Sequence, residues 1–292
     1  MPRKVTSRSR TNVIKPPATA PAAFYLMENS REVDRLELKT NPVAAEEQLR
    51  WAGLKMNMRS LEVGCGSGAV TRVMAQLAAP GRVMGIDQDE GRLAAARRRA
   101  AEEGSAIEFV RGAAYALPID AAQFDFSWSR FLFQYLPDPA RALRELVRVT
   151  RPGGIVTVAD LDGQIEQFYP LAPKLQADLD EALAVLGKTG FDTRVGRKLY
   201  SMFFSAGLSD LAVRVTPYQV YAGRLTKEEL ANWDIKLDTT ATLLISQTGQ
   251  KARWGRLRDQ LIKRLREPDL FYFCTLIQVR GSVKGCAIQA PS

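Results

Sequence analysis

Hydrophobic and polar positions follow two alternating patterns through the central part of the chain. Short apolar runs, bounded by glycine, proline or charged residues, alternate with segments in which apolar residues recur every three or four positions. The short runs are typical of buried strands, and the longer segments are typical of amphipathic helices. Strands are therefore predicted over residues 61–63, 82–86, 107–110, 124–128 and 155–159. Helices are predicted over residues 69–79, 89–103 and 139–149.

The regular alternation of strand and helix predicts the fold class. Strand–helix–strand units build parallel sheets with helices on both faces. Two later strands, over 211–215 and 270–279, would complete the sheet, with helices over 173–186 and 195–206 between the elements. The sequence thus predicts an α/β protein, a Rossmann-like doubly wound and mostly parallel seven-stranded sheet with helical lid insertions.

The domain organisation follows from where this rhythm is interrupted. Residues 1–21 are rich in proline and basic residues and contain no acid, so they are predicted to form a flexible tail. We expect one domain over 22–292. Its expected parts are an N-terminal helical cap (22–53), a ligand-binding core (54–160), helical lid insertions (161–190 and 218–267) and a final strand with a tail (268–292).

Composition narrows the chemistry. The chain contains no histidine, which excludes Ser-His-Asp triads, Cys-His pairs and histidine-ligated metals. Any general base must then be Asp, Glu, Tyr, Lys, Cys or a water molecule. The three cysteines have no metal-binding spacing, so no metal site is expected. Reduced thiols, with no secretory signal and no membrane-spanning run, predict a cytoplasmic protein without a membrane partner.

The net charge of +9 is concentrated in two places. One is the N-terminal tail, and the other is residues 251–266, where apolar residues occupy one helix face and arginines the opposite face. Strong positive charge could indicate nucleic-acid binding. A solvated tail and a solvated helix face are the favoured interpretation, because the rest of the chain is nearly neutral.

A glycine-rich turn carries the most informative signal. Gly64, Gly66 and Gly68 lie where the first strand must turn into a helix, and glycine there lets the backbone approach a ligand closely. Asp87 ends the second strand, where a carboxylate can accept two hydrogen bonds from ribose hydroxyls. The same spacing fits the dinucleotide fingerprint. These residues alone therefore leave both an adenosine cofactor and NAD open.

Further stretches follow in a fixed order along the chain. They are Glu62, Val-Arg-Gly-Ala-Ala-Tyr-Ala-Leu-Pro (110–118), Phe-Asp-Phe-Ser-Trp-Ser-Arg (124–130) and Leu-Arg-Glu-Leu-Val-Arg-Val-Thr-Arg-Pro-Gly-Gly (143–154). Over residues 22–216 this series resembles class I S-adenosylmethionine-dependent methyltransferases, most of all the small-molecule branch with quinone-biosynthesis and natural-product enzymes. The resemblance implies methyl transfer from S-adenosyl-L-methionine to a small, partly apolar metabolite. In-line displacement would then depend mainly on positioning and desolvation.

The resemblance also implies cofactor-binding residues. They are Tyr25, Arg35, Glu62, Gly64, Gly66, Gly68, Asp87, Gln88, Gly112, Ala113, Ala114, Ser129, Arg130 and Gln134. Asp87 would bind the ribose, and Ser129 and Arg130 would lie beside the methionine. Many relatives have an acid where this chain has Ala113, so adenine recognition would need a backbone group or another side chain. Arg35 would either pair with the methionine carboxylate or be an ordinary surface arginine.

Catalytic and acceptor-binding residues are less sharply indicated. Asp160 ends the fifth strand, and burial there would raise its pKa and make it a usable base; it could equally cap the next loop. The candidates for acceptor binding are Phe133, Phe168, Tyr169, Arg194, Arg197, Tyr200, Tyr221 and Trp233. Because most aromatic residues are core residues, fewer than half of the aromatic candidates are expected to touch the acceptor.

Two other functions stay open. The basic tail and helix would suit an RNA or protein methyltransferase, although the chain lacks an Asn-Pro-Pro-Tyr-like signature after the fourth strand. A non-catalytic S-adenosylmethionine-binding protein is the other alternative, since the glycines and Asp87 indicate binding and not turnover. The expected partner is a small-molecule acceptor. A homodimer is compatible with the sequence.

Overall fold

The computed structural model describes Glu37 and residues 40–285. The tail (1–21) and the cap residues Tyr25 and Arg35 lie outside these residues. The helices are α1 Pro42–Ala52, α2 Ala69–Ala78, α3 Glu90–Glu102, α4 Pro139–Val149, α5 Pro173–Gly187, α6 Val195–Ser205, α7 Lys227–Thr248 and α8 Lys251–Arg264, with a 3₁₀ turn over Phe133–Tyr135.

The strands form one mixed sheet. They are β1 Ser60–Val63, β2 Val83–Asp87, β3 Ile107–Arg111, β4 Phe124–Arg130, β5 Thr150–Asp162, β6 Phe168–Tyr169, β7 Ser209–Ala222 and β8 Phe271–Ser282. The order is β3-β2-β1-β4-β5-β8, and β7 pairs with β8. The first five strands are parallel, while β8 runs antiparallel to β5, β6 and β7. The predicted α/β fold class is confirmed.

Local sequence signals explain where several helices begin and end. The Asn41 side chain accepts hydrogen bonds from the backbone N–H groups of Val43 and Ala44, and Pro42 occupies the first turn of α1, where its missing N–H is not needed. Helix α7 begins with a capping box formed by Thr226 and Glu229, which satisfies two backbone donors that the first turn leaves unpaired.

Apolar residues on the two faces of the sheet pack against different helices. Phe126, Trp128 and Leu161 belong to a core shared with α1, α2, α5, α7 and α8. Val63 and Val158 belong to a core shared with α4 and α6. With both faces covered, the carboxyl ends of the parallel strands are left as the place where a ligand can approach the sheet.

The structure differs from the expectation at two elements. Residues 218–222, which were assigned to a helical insertion, belong to β7. This strand continues past Val215 because it pairs with β8 along nearly its whole length, with irregularities near Asp210 and Pro217. The short strand β6 pairs with Phe271 and Tyr272 of β8, so the sheet has one strand more than predicted. Within the described ranges no helix is long and apolar enough to cross a membrane.

Candidate active site

A cleft lies at the carboxyl ends of β1, β2 and β4. It opens where the chain order reverses, since β2 and β4 flank β1 on opposite sides, and such switch points are the usual ligand sites of doubly wound sheets. Ten residues of the predicted cofactor set line it. They are Glu62, Gly64, Gly66, Asp87, Gln88, Gly112, Ala113, Ala114, Arg130 and Gln134.

The glycine turn forms the floor of this cleft. Gly64 and Gly66 have positive φ angles of 78° and 53°. A Cβ on Gly64 would come 3.0 Å from Leu132 Cδ2, so a side chain is excluded by both strain and space. Gly68 does not line the cleft. A Cβ there would lie 2.9 Å from the Phe109 ring, so this glycine lets α2 pack closely on the sheet.

Asp87 is held in place by several donors. Its Oδ2 accepts from the Gly66 N–H at 2.9 Å, and its Oδ1 accepts from the Asp89 N–H at 3.0 Å. Arg92 donates to the same Oδ1 through Nε and Nη2, at 3.2 and 3.1 Å. Both side chains of this ion pair are about nine-tenths buried, and Arg92 also lines the cleft. The carboxylate thus ties the glycine turn to the start of α3.

Arg92 was not predicted from the sequence. A usable signal exists, because the first turn of a helix that follows a strand end points back towards that end, and Arg92 is five residues after Asp87. Because an arginine on a helix is more often a surface residue, Arg92 does not stand out in the sequence as part of a site.

Glu62 is a buried acid on the floor of the cleft. Its Oε2 accepts from the Thr71 hydroxyl at 2.5 Å. Burial raises the pKa of Glu62 to about 8, and the negative charge of Asp87 adds to this rise, while the Thr71 hydrogen bond and the Arg130 charge oppose it. At neutral pH this carboxyl is therefore mostly protonated until a cation reaches it.

The end of β4 carries the other polar groups of the site. Gln134 is buried, and its side-chain Oε1 has no hydrogen-bond partner in the described part of the chain. Its backbone N–H donates to Asp160 Oδ2 at 3.1 Å. Asp160 is fully buried and also accepts from the Leu161 N–H. The Ser129 hydroxyl donates to the Val63 carbonyl at 2.9 Å, so it bridges two strands beneath the cleft without lining it.

The opposite end of the cleft is formed mainly by backbone. The Gly112 N–H donates to the Asp87 carbonyl at 3.0 Å, and a Cβ on Gly112 would come 2.7 Å from Pro118 Cδ. The Tyr115 hydroxyl accepts from the Asp138 N–H at 3.1 Å. With an alanine at position 113, hydrogen bonds from this segment to a ligand must come from main-chain groups.

An ion pair ties the segment before α1 to the glycine turn. Glu37 accepts from the Ser67 hydroxyl at 2.6 Å and from Arg72 Nη2 at 2.7 Å. Burial acts to raise the pKa of Glu37, but the hydrogen bonds from Arg72 and Ser67 and the charges of Arg72 and Arg99 lower it overall. Thr40, three residues later, lines the cleft. This part of the predicted cap therefore contacts the site.

The residues predicted to bind the acceptor do not line this cleft. Phe133, Phe168 and Trp233 are buried in the core, and Tyr221 stacks on Tyr272. The other four lie nearer the surface. Arg194 pairs with Glu166, Arg197 pairs with Asp162, and Tyr169 and Tyr200 are exposed. Their role towards an acceptor stays a prediction, as does that of Asp160.

Four apolar or aromatic residues instead line the end of the cleft next to β4. They are Phe131, Leu132, Tyr135 and Leu136. From the sequence, Phe131 and Tyr135 are available to line an apolar pocket but are not singled out as acceptor-binding residues, and Leu132 and Leu136 have no assigned function, because the segment has the pattern of an ordinary core segment. Only the turn after β4 brings them to the cleft.

Comparisons with known proteins agree with this geometry. A family model described as a methyltransferase domain matches residues 61–158. The chain is 30% identical over 183 residues to a demethylmenaquinone methyltransferase of Shouchella clausii, an alignment that covers 58% of this chain and 78% of that protein.

Solved structures share the fold at low identity. A protein of Bacillus halodurans has a TM-score of 0.56 and 16% identity, covering 83% of this chain and 100% of that chain. A phosphoethanolamine N-methyltransferase of Haemonchus contortus, solved with phosphomonomethylethanolamine and S-adenosylhomocysteine, has a TM-score of 0.54 and 16% identity. That alignment covers 83% of this chain and 53% of that one.

Proposed function

The chain belongs to the class I S-adenosylmethionine-dependent methyltransferases, in their small-molecule branch, and we propose that its acceptor is a quinone-like ring in the reduced, hydroquinone form. One observation carries the proposal: the cleft has a polar end at Asp87 and an aromatic end at Phe131 and Tyr135. The first suits a nucleoside and the second a flat, apolar ring. The similarity to a demethylmenaquinone methyltransferase supports the same acceptor class.

The residues of the cleft fit the cofactor. Asp87 would hold the ribose, the 112–114 backbone the adenine, and Gly64 and Gly66 the methionine. Gly64 leaves space that a Cβ would fill. The side-chain oxygen Oε1 of Gln134 is buried and has no hydrogen-bond partner in the described residues, and buried polar groups normally have one. A polar ligand in the cleft would supply it.

When bound, S-adenosylmethionine supplies a methyl group on a sulfonium: the acceptor forms a bond to that carbon and loses a proton, while the carbon–sulfur bond breaks and its electron pair stays on sulfur. The protein has to align the acceptor and exclude water, and placement of this kind is worth up to about 7–11 kcal/mol in ideal cases. Phe131, Leu132 and Leu136 would exclude water. A hydroquinone is electron-rich where a quinone is electron-poor, which is why the reduced form is proposed.

The lid role of helices α5, α7 and α8, from the two predicted insertions, stays a prediction. They pack on the sheet face that carries Trp128 and Leu161, and none of their residues lines the cleft. Asp160 is fully buried and does not line the cleft, so it would act as a base only if the acceptor or a water molecule reached it. Positioning and desolvation therefore carry most of the proposed mechanism.

A nucleic-acid substrate is less well supported. Three of the four arginines of α8 form ion pairs with acids of this chain and so offer less free charge to phosphates. Their ion pairs are Arg253 with Asp178 and Glu181, Arg258 with Asp234, Asp238 and Asp259, and Arg264 with Asp269.

The test is methylation of 1,4-dihydroxynaphthalene, kept reduced under anaerobic conditions. Wild-type protein with S-adenosylmethionine should release S-adenosylhomocysteine and yield a product heavier by one methylene. The oxidised naphthoquinone, a mixed RNA pool and a lysine-rich peptide serve as alternative acceptors. Asp87→Ala is the control, since it removes the ribose partner.

Methylation of RNA or peptide with no reaction on the hydroquinone would replace the proposal with the alternative of a macromolecular substrate. Tight S-adenosylhomocysteine binding without turnover on any of these acceptors would favour the non-catalytic binding protein. Equal turnover by Asp87→Ala would mean that the product arises elsewhere than in this cleft.

A further inference from the structure

We infer that the guanidinium of Arg130 is the binding site for the ionised hydroxyl of the acceptor. The inference rests on the proposed function, because it concerns the same cleft and the same acceptor class. The acceptor would then react as an anion, and the positive charge of Arg130 would stabilise it.

One donor of the Arg130 guanidinium, its Nε, lacks among the described residues the partner that a buried donor normally has. Its Nε is buried and makes no hydrogen bond in the described part of the chain. The guanidinium carbon lies 4.3 Å from the centre of the Phe131 ring. Burial lowers the pKa of Arg130, against the charges of Tyr218, Glu62 and Asp160. A cation in this condition lacks hydrogen bonds that an anion would supply.

The backbone of the next residue, Phe131, fixes the turn at the end of β4 that carries the Arg130 guanidinium. Phe131 has a φ of 57°, a left-handed conformation that costs a non-glycine residue about 1–2 kcal/mol. Its N–H donates to the Ala159 carbonyl at 2.9 Å, which holds the turn. Its ring meets Tyr218 of β7 edge-on, with the ring centres 5.1 Å apart. Strained residues of this kind concentrate at functional sites.

The order of the strands places Arg130 towards the acceptor. The ribose partner Asp87 ends β2, the glycine turn follows β1, and Arg130 ends β4. A cofactor laid across these strand ends has its ribose at β2 and its reactive end near β4. Of the groups around the guanidinium, Glu62 belongs to β1 on the cofactor side of β4, whereas Asp160 and Tyr218 belong to β5 and β7 on the other side. Arg130 therefore lies between the expected place of the cofactor and the part of the sheet beyond β4.

Arg130 could stabilise the ionised acceptor in a chain that has no histidine to act as a base. An arginine keeps its charge through the whole physiological range and can form paired hydrogen bonds to an oxyanion. An opposite charge within about 4–6 Å lowers the pKa of an acid by about 1–3. A hydroquinone hydroxyl beside Arg130 would therefore ionise by losing its proton to water, without a dedicated base.

Ionisation of a bound phenol tests this without turnover. The probe is 4-nitrophenol, whose ionised form is yellow, added to the complex with S-adenosylhomocysteine over a pH series. Wild-type protein should raise the ionisation constant of the bound probe by at least about tenfold over the free probe. Arg130→Gln should abolish this change, and Arg130→Lys should restore part of it. Arg98→Gln, an exposed arginine on α3, should behave as wild type.

Stability and cofactor binding separate the inference from a structural role. Arg130→Gln should melt at or above the wild-type temperature, since it removes a buried charged group whose Nε has no hydrogen-bond partner among the described residues. Its dissociation constant for S-adenosylhomocysteine should change less than about twofold, against a loss of about 100-fold in kcat/KM for 1,4-dihydroxynaphthalene.

An unchanged ionisation constant in wild type, or an equal change in Arg130→Gln, overturns the inference. A large loss of S-adenosylhomocysteine affinity in Arg130→Gln also overturns it, because the guanidinium would then bind the methionine carboxylate. Failure of the proposed function looks different. In that case the probe ionises on Arg130 while the hydroquinone is not methylated.

Discussion

Arg92 and Asp87 form a buried ion pair at the carboxyl end of β2, with Arg92 Nη2 3.1 Å from Asp87 Oδ1. The same carboxylate accepts a hydrogen bond from the Gly66 N–H in the glycine turn. Asp87 therefore has two roles, as the expected ribose partner and as a structural link between the turn and α3. The sequence alone indicated only the first.

Replacing Asp87 should therefore affect both binding and stability. Asp87→Ala should weaken S-adenosylhomocysteine binding by about 2–4 kcal/mol, because two hydrogen bonds to a charged acceptor are lost. It should also lower the free energy of unfolding by up to about 3–5 kcal/mol, because the buried Arg92 loses its two hydrogen bonds to Asp87. Calorimetry and urea unfolding measure the two effects.

The double variant Asp87→Ala/Arg92→Met separates the two roles. It should recover part of the stability and none of the affinity. If Asp87→Ala unfolds like wild type, the ion pair is not a structural link. If the double variant regains affinity, Asp87 does not bind the ribose.

Glu62 should couple cofactor binding to pH. Its pKa is raised to about 8, so the free carboxyl must lose a proton before it can pair with the amino group of the cofactor. Below about pH 8, S-adenosylhomocysteine affinity should fall by up to about tenfold per pH unit. Glu62→Gln should remove this contribution. The control ligand 5′-methylthioadenosine lacks the amino group, and its affinity should not show it.

The same shift has a defined effect on stability. The pKa of the Glu62 carboxyl has its ordinary value of 4.5 in the unfolded chain and is raised to about 8 in the folded protein. Between these values the folded state binds the extra proton, so the Glu62 contribution falls as pH rises from about 4.5 to about 8 and is constant above that. The free energy of unfolding in urea, measured for wild type and for Glu62→Gln, should differ by an amount that falls as pH rises across this window. A difference that rises with pH would contradict the assignment.

Glu37 should hold the glycine turn in its binding conformation. Glu37→Gln removes the charge that Arg72 and Ser67 contact, and we expect a loss of about 1 kcal/mol in S-adenosylhomocysteine affinity. Glu46→Gln is the matched control, since Glu46 forms an exposed ion pair with Arg50 on α1. If both variants lose the same amount of S-adenosylhomocysteine affinity, Glu37 does not hold the glycine turn and acts only as a surface charge.

Hydrogen exchange tests the same contact by another route. Residues 37–53 should become more protected when S-adenosylhomocysteine is added, if this segment closes over the cleft. The expectation extends to Tyr25 and Arg35 of the predicted cap. Tyr25→Ala should lower kcat/KM without changing the melting temperature of the ligand-free protein.

Gly68 should tolerate substitution less well than Gly104. Both have a positive φ, 76° and 66°, so both share the strain of about 1–2 kcal/mol that alanine would bring. A Cβ at Gly68 would lie 2.9 Å from the Phe109 ring, whereas one at Gly104 has no neighbour within 4 Å among the described residues. Overpacking adds about 1–3 kcal/mol. Thermal unfolding in which Gly104→Ala is the more damaging would contradict the packing role of Gly68.

The sequence pattern does not decide which aromatic residues line the cleft and which belong to the core. Phe133 and Trp233 were acceptor candidates and are core residues, while Phe131 and Tyr135 line the cleft. Phe131, Phe133 and Tyr135 belong to the same apolar stretch of the sequence. Which aromatic residue faces the cleft depends on the turn after β4, where Phe131 takes a positive φ, and that conformation is not encoded by residue type.

The sequence by itself determined the fold class, the glycine turn and the position of Asp87, because each depends on residues close together in the chain. Strand and helix periodicity, helix caps and glycine spacing are local properties. Tertiary structure decided the rest. The Asp87–Arg92 pair, the link from Glu37 to Ser67 and the surroundings of Arg130 depend on contacts between separate elements. Burial by distant strands raises the pKa of Glu62 and leaves Arg130 Nε without a partner, and neither can be calculated from neighbouring residues alone.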